Sequence, residues 1–138
     1  MNKVKLLGII AFAVMVLTLP VQLSAQTAAR LEALLESPAI SWEEAAAFIR
    51  EAAQAPQQRM PQNATPGEIA RLNDVALLLM RAFDIKGGIF YNIFQGPHHA
   101  YRELVYLNVI RGNTDPHMPV SGQQLLLMIN RILTLRGE

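Results

Sequence analysis

Apolar positions recur along this chain at helical rather than strand spacing. The clearest case is the stretch from Ala100 to Leu135. An apolar-periodic run to Ile110 is followed by Arg111-Gly112, a polar loop with two prolines, and a second apolar run. Ser121 followed by Gln124 has capping-box spacing, in which each side chain satisfies the other's backbone N–H. Val120 stands where it can staple onto Leu125. Gly112 suits a stop after the first run, because glycine takes the left-handed conformation at little cost. The pattern predicts a helix from Ala100 to Ile110, with Ala100, Leu104, Leu107 and Ile110 inward. It predicts another from about Gly122 to Leu135, burying Leu125, Met128, Ile129, Ile132 and Leu135.

The same grammar appears upstream. A short helix over residues 27–36 carries Leu31, Leu34 and Leu35 on one face and ends at Ser37-Pro38. Ser41 with Glu44 opens a second, slim helix containing Trp42, Phe48 and many alanines. Ala55 to Ala64, with Pro56 and Pro61, reads as a loop. It runs into Asn63-Ala64-Thr65, which has the glycosylation-acceptor pattern but reads first as loop and cap. Thr65, with Pro66 at the first helical position and Glu68 completing a box, predicts the start of a third helix. Ile69, Leu72, Ala76, Leu79, Met80 and Phe83 form its apolar stripe, and Leu77 and Leu78 widen it, as in a central helix. Gly87-Gly88 is the expected stop, and Ile89 to Phe94 is expected to be a short helix. The expectation is thus an all-α fold, a small bundle of about five or six helices built from helix–loop–helix units. Three of the helices open alike, at Ser41, Thr65 and Ser121, and end near Arg50, Arg81 and Arg131.

The N-terminus stands outside this pattern. Lys3 and Lys5 precede an apolar run from Leu6 to Leu19, broken by Pro20 and followed by Leu23-Ser24-Ala25. That is a signal-peptide pattern with a cut after Ala25, and a run this short falls below the ~20 residues of a membrane span. The organisation expected is a signal peptide over 1–25 and one helical domain over 26–138, not membrane-spanning and exported to the periplasm or cell surface. Removing Lys3 and Lys5 turns the precursor's 12 basic and 11 acidic residues into a slight acidic excess. The basic precursor therefore does not argue for nucleic acid, and no basic patch interleaved with aromatics is present. The chain has no cysteine, so an exported domain of this kind must rely on its core.

His98-His99-Ala100, the run to Ile110, Gly112, the Asp115-Pro116 loop, Pro119-Val120-Ser121 and the last apolar helix resemble one S-layer homology module. Thr65 to Phe83 resembles the second helix of another, and Ser41 to Ala53 a more degraded third. The resemblance implies a helical bundle that binds a cell-envelope polymer, either secondary polysaccharide or peptidoglycan, and holds a protein at the cell surface. The family's Thr-Arg-Ala-Glu, whose arginine helps bind the anionic polymer, stands here as Ser121-Gly122-Gln123-Gln124, without arginine. Arg71 could replace that arginine in the earlier module with a one-residue shift.

Candidate chemistry is sparse. His98, His99, His117 and Asp115 lack a recognised metal-ligand spacing, so no metal and no cofactor is expected. There is no nucleophile elbow and no phosphate loop, and the carboxylates are accounted for by caps and helix surfaces, so no catalytic residue is expected. Aromatics cluster around Gly96-Pro97, where Phe90 and Phe94 are expected to fill the core while the tyrosines straddle its edge. The candidate ligand-binding residues are Arg71, Arg102 and Arg111 for charge, with Tyr101 and Tyr106 as flat faces. The expected function is non-enzymatic binding of a cell-wall polymer; the alternative is a periplasmic scaffold that binds an envelope protein.

Overall fold

The computed structural model describes residues 25–55 and 67–137. The chain divides into Met1–Leu34 and Leu35–Glu138. In the first unit the described residues are helical, and this helix, α1, occupies residues 25–36. The second unit holds α2 (Trp42–Ala53), α3 (Leu72–Ala82), α4 (Ile89–Ile93), α5 (Pro97–Tyr106) and α6 (Gly122–Arg136). The fold is all-α, with six helices among the described residues. Residues 1–24 of the expected signal peptide, all but Ala55 of the expected loop from Ala55 to Ala64, the Asn63 acceptor pattern and Thr65-Pro66 fall outside the described residues.

Three helices are tied together where they begin. The segments ending at Ser41, Arg71 and Ser121 are extended, and each leads directly into a helix. Their backbones form a closed ring. Ile40 N–H donates to Val120 C=O at 2.9 Å, Val120 N–H to Ala70 C=O at 3.0 Å, and Ala70 N–H to Ile40 C=O at 2.9 Å. A second set flanks it: Trp42 N–H to Glu68 C=O, Leu72 N–H to Met118 C=O, and Gly122 N–H to Ser37 C=O. Isolated antiparallel bridges at Ser41–Ile69 and Arg71–Pro119 belong to the same network. The ring explains how backbone groups can be buried between helix starts without a sheet, since each buried donor has an acceptor on a neighbouring segment. Ile40, Ala70 and Val120 are fully or almost fully buried at its centre.

The ring also corrects the expected start of α3. The helix begins at Leu72, not at Thr65, and its first turn has no side-chain cap. Glu68 and Ala70 give their carbonyls to Trp42 and Val120, and Ala70 gives its N–H to Ile40, so this stretch is extended rather than helical. Ile69, expected on the buried stripe, is 52% exposed as a result. The remaining stripe holds: Leu72, Val75, Ala76 and Leu77 through Met80 are all buried, and α3 packs chiefly on α5 and also on α2. α6 packs on α2.

Helix ends differ from expectation for a single physical reason. After α2, α3 and α5 the left-handed residue is Gln54, Asp84 or Asn108, not glycine. Each forms the paired bonds of a Schellman motif. After α5, Val109 N–H reaches Leu104 C=O at 2.9 Å and Asn108 N–H reaches Val105 C=O at 3.0 Å. Leu104 and Val109 are both fully buried, so burying the apolar residue beyond the turn offsets the strain at Asn108. The helix consequently stops at Tyr106 rather than at Ile110, and Gly112, though at positive φ, lies in the loop beyond it.

Candidate functional site

The left-handed turn at Asn108 positions two arginines. Arg111 Nε donates to Asn108 C=O at 3.0 Å, and Arg131 Nη1, from the middle of α6, donates to Val109 C=O at 2.8 Å. Both guanidinium groups are thereby oriented by carbonyls of one turn. Between them lies an open groove of about 190 Å³ at the head of α6. Its polar lining comes from Arg111, Ser121, Gln123, Gln124 and Arg131, and its apolar floor from Ile110, Leu127 and Met128.

The first turn of α6 contributes because of how it is capped. At Ser41 the capping box is complete: Ser41 Oγ accepts from Glu44 N–H at 3.2 Å and Glu44 accepts from Ser41 N–H at 3.0 Å. Ser121 makes the forward half, accepting from Gln124 N–H at 3.2 Å. The Gln124 side chain lines the groove instead. Amide, hydroxyl and guanidinium groups over an apolar floor suit a ligand that carries both hydroxyls and negative charge.

Of the five candidate residues, the structure brings Arg111 to this groove. Arg71 is exposed and occupies the residue just before α3, in register with Ser41 and Ser121. Tyr101 is half-buried, and its hydroxyl donates to Thr114 C=O at 2.7 Å and lies 3.0 Å from Thr114 Oγ1, fastening α5 to the loop before α6. Arg102 and Tyr106 are exposed on α5, the tyrosine by 81%. Arg131 and the glutamines were not singled out from sequence as ligand-binding. Arg131 marks one of three similar helix ends there, but its groove exists only because α5 stops early.

The aromatic cluster departs from expectation. Phe90 and Phe94 are exposed, and Tyr91 is the residue of α4 that turns inward. Burial raises the Tyr91 phenol above its ordinary value, with Arg81 pulling the other way. His99 stacks on Phe94, and His98 meets His99 edge-on. Among the described residues no three metal-ligating side chains come together, and no helix is long and apolar enough to cross a membrane. Asp74, near Arg71, Glu68 and His117, has its carboxyl pushed above the ordinary value by burial. Arg71 opposes that shift, Glu68 adds to it and His117 opposes it.

Neither family models, curated proteins nor solved structures give a match to this chain.

Proposed function

We propose that the chain is an exported, non-enzymatic module that binds an anionic cell-envelope polymer, cell-wall polysaccharide or peptidoglycan, in the groove at the head of α6. The observation that carries this reading is the pair of guanidinium groups, Arg111 and Arg131, pinned by the carbonyls of Asn108 and Val109 beside Ser121, Gln123 and Gln124. Pinned donors lose less freedom on binding than mobile ones. The groove is smaller than the roughly 300–1,000 Å³ of a site for a drug-sized ligand, and it suits one charged sugar unit of a longer chain. The ring, which joins three extended segments that each lead into a helix, is in keeping with repeated helix–loop–helix units.

A second reading has its own support. Gly122 stands where that family's arginine would be, which favours a scaffold that binds an envelope protein instead. Co-sedimentation with purified sacculi separates the two. Polymer binding predicts pelleting that falls as salt rises, because exposed charges are screened. It also predicts loss in Arg111→Ala, retention in Arg71→Ala, and partial loss in Arg131→Lys. Protein that stays in the supernatant at low salt would reject the polymer reading.

A further inference from the structure

The outward face of α4 is apolar and shares no residue with the groove. Ile89, Phe90, Ile93 and Phe94 are all exposed, Ile89 by 75% and Phe94, the least of the four, by 59%. The spacing i, i+1, i+4, i+5 puts them on one side of the helix. Tyr91 holds the opposite side in the core, and Asn92 Nδ2 donates to Gly87 C=O at 3.1 Å. A Cβ on Gly87 would lie 2.6 Å from Tyr91 Cδ1. The helix is thus fastened through Gly87, Tyr91 and Asn92, with four large apolar side chains turned outward.

The charges around this face balance. Asp84 and Glu103 stand against Lys86 and Arg102. Asp84, Lys86 and Arg102 are exposed, and Glu103 is half-buried. The Glu103 carboxylate lies at the Gly88 end of α4, with Oε2 3.4 Å from the place a Cβ on that glycine would take. At the other end His99 stacks on Phe94, and His98 meets His99 edge-on. A rim of one sign would select a partner of the opposite sign, and an anionic surface gains nothing from a rim without net charge. A rim that carries both signs equally suits its own copy. In a twofold contact residue i meets j while j meets i, so each charge can face its opposite. Crossing α4 antiparallel to its copy sets the Gly88 end, with Glu103, against the histidines at the Phe94 end.

Area agrees with this occupant. The four side chains present on the order of 500 Å². Two copies therefore bring about 1,000 Å² before the rim is counted, which is the size a specific interface must reach. Lys86 and Arg102 at the rim carry it toward the ~1,200–2,000 Å² of a stable pair.

We propose that the α4 face is a homodimer interface, in which two copies of this chain pack α4 against α4 about a twofold axis and bury Ile89, Phe90, Ile93 and Phe94. The inference does not depend on what fills the α6 groove.

Sedimentation equilibrium of the full-length protein, purified from an exporting host in the form that host yields, reads the mass directly. The mass is expected to rise with concentration to that of two copies and to stop there. Phe90→Ser joined to Phe94→Ser should raise the dissociation constant by roughly tenfold or more, with helical circular dichroism unchanged. Lys86→Glu keeps the apolar face and makes the rim acidic, so it should weaken the pair about tenfold at low salt and less at high salt. The mass of one copy at every concentration overturns the proposal, as does growth beyond two copies. A pair that Lys86→Glu leaves as tight as before also overturns it, whether or not the doubly substituted chain folds. Binding to phosphatidylglycerol vesicles by a chain that stays single would assign the face to a bilayer and likewise overturn it.

Discussion

Ile40 lies in a five-residue link between α1 and α2, a place where an ordinary linker residue could be cut back at little cost. The ring predicts otherwise. Ile40 is fully buried, its N–H and C=O bond to Val120 and Ala70, and its side chain sits where three helix starts converge. Ile40→Ala removes three carbons from a site that backbone on three segments prevents from collapsing. At ~0.8 kcal/mol per methylene the transfer loss is about 2.4 kcal/mol. A void on the order of 80 Å³ at ~24 cal/mol per Å³ adds roughly 2 kcal/mol, for a total of about 4 kcal/mol. Ile40→Val should cost about 1 kcal/mol. Urea unfolding followed by circular dichroism measures both. With an m-value of about 1.5 kcal/mol/M, the midpoint falls by ~0.7 M for the valine and by ~2.5 M or more for the alanine. Ile69→Ala, one rung away but half exposed, should stay within about 0.5 kcal/mol. If Ile40→Ala proves as mild as Ile69→Ala, the ring is not the point at which α2, α3 and α6 are fastened, and the packing argument fails.

Three further outcomes follow from local geometry. Gln54 is left-handed at φ 49° without being glycine, so Gln54→Gly should raise the urea midpoint, by about 1 kcal/mol in stability. Gly87→Ala should lower the thermal midpoint and expose Tyr91 to near-ultraviolet detection, because its Cβ would lie 2.6 Å from the ring. Asp74 has a folded-state pKa above its ordinary value, chiefly through burial. Folding therefore favours its protonated form, a contribution present below the unfolded pKa and lost as pH rises through the folded one. Asp74→Asn should match the parent near pH 3 and exceed it near pH 7 in urea unfolding; a constant difference at both would refute that assignment.

The helix interiors were legible because their information is local. The stripe Leu72, Val75, Ala76, Leu79 and Met80 repeats at helical spacing and is buried as that spacing requires. The start of α3 was not legible, although Thr65-Pro66 followed by Glu68 is a good local signal. The competing bonds come from Ile40 and Val120, which lie far away in sequence. Local capping chemistry has no information about those partners. The end of α5 departs from expectation for a related reason: the left-handed Asn108 is offset by Val109 beyond it, which is buried as Leu104 is. The site inherits that error. Arg111 is visible in sequence as a charge, but its pairing with Arg131 depends on α5 stopping at Tyr106.

The ring and the two surface features rest on separate parts of the chain, which has a consequence for how the protein can vary. Ile40, Ala70 and Val120 fasten three helices through backbone bonds and so constrain side-chain size more than side-chain chemistry. The groove depends on the turn at Asn108 and the first turn of α6. The α4 face depends on Gly87, Tyr91 and Asn92, and none of its four outward residues belongs to the core. Val120 joins the ring to the groove along the chain, since it immediately precedes Ser121. Substitutions on the α4 face should therefore add independently to substitutions in the groove, because distant sites without shared partners are additive within about 0.5 kcal/mol. A double variant joining Phe94→Ser to Arg111→Ala should lose stability as the sum of the two single losses. A coupling above ~1 kcal/mol would mean that the two surfaces communicate through α5, the element that follows one and precedes the other.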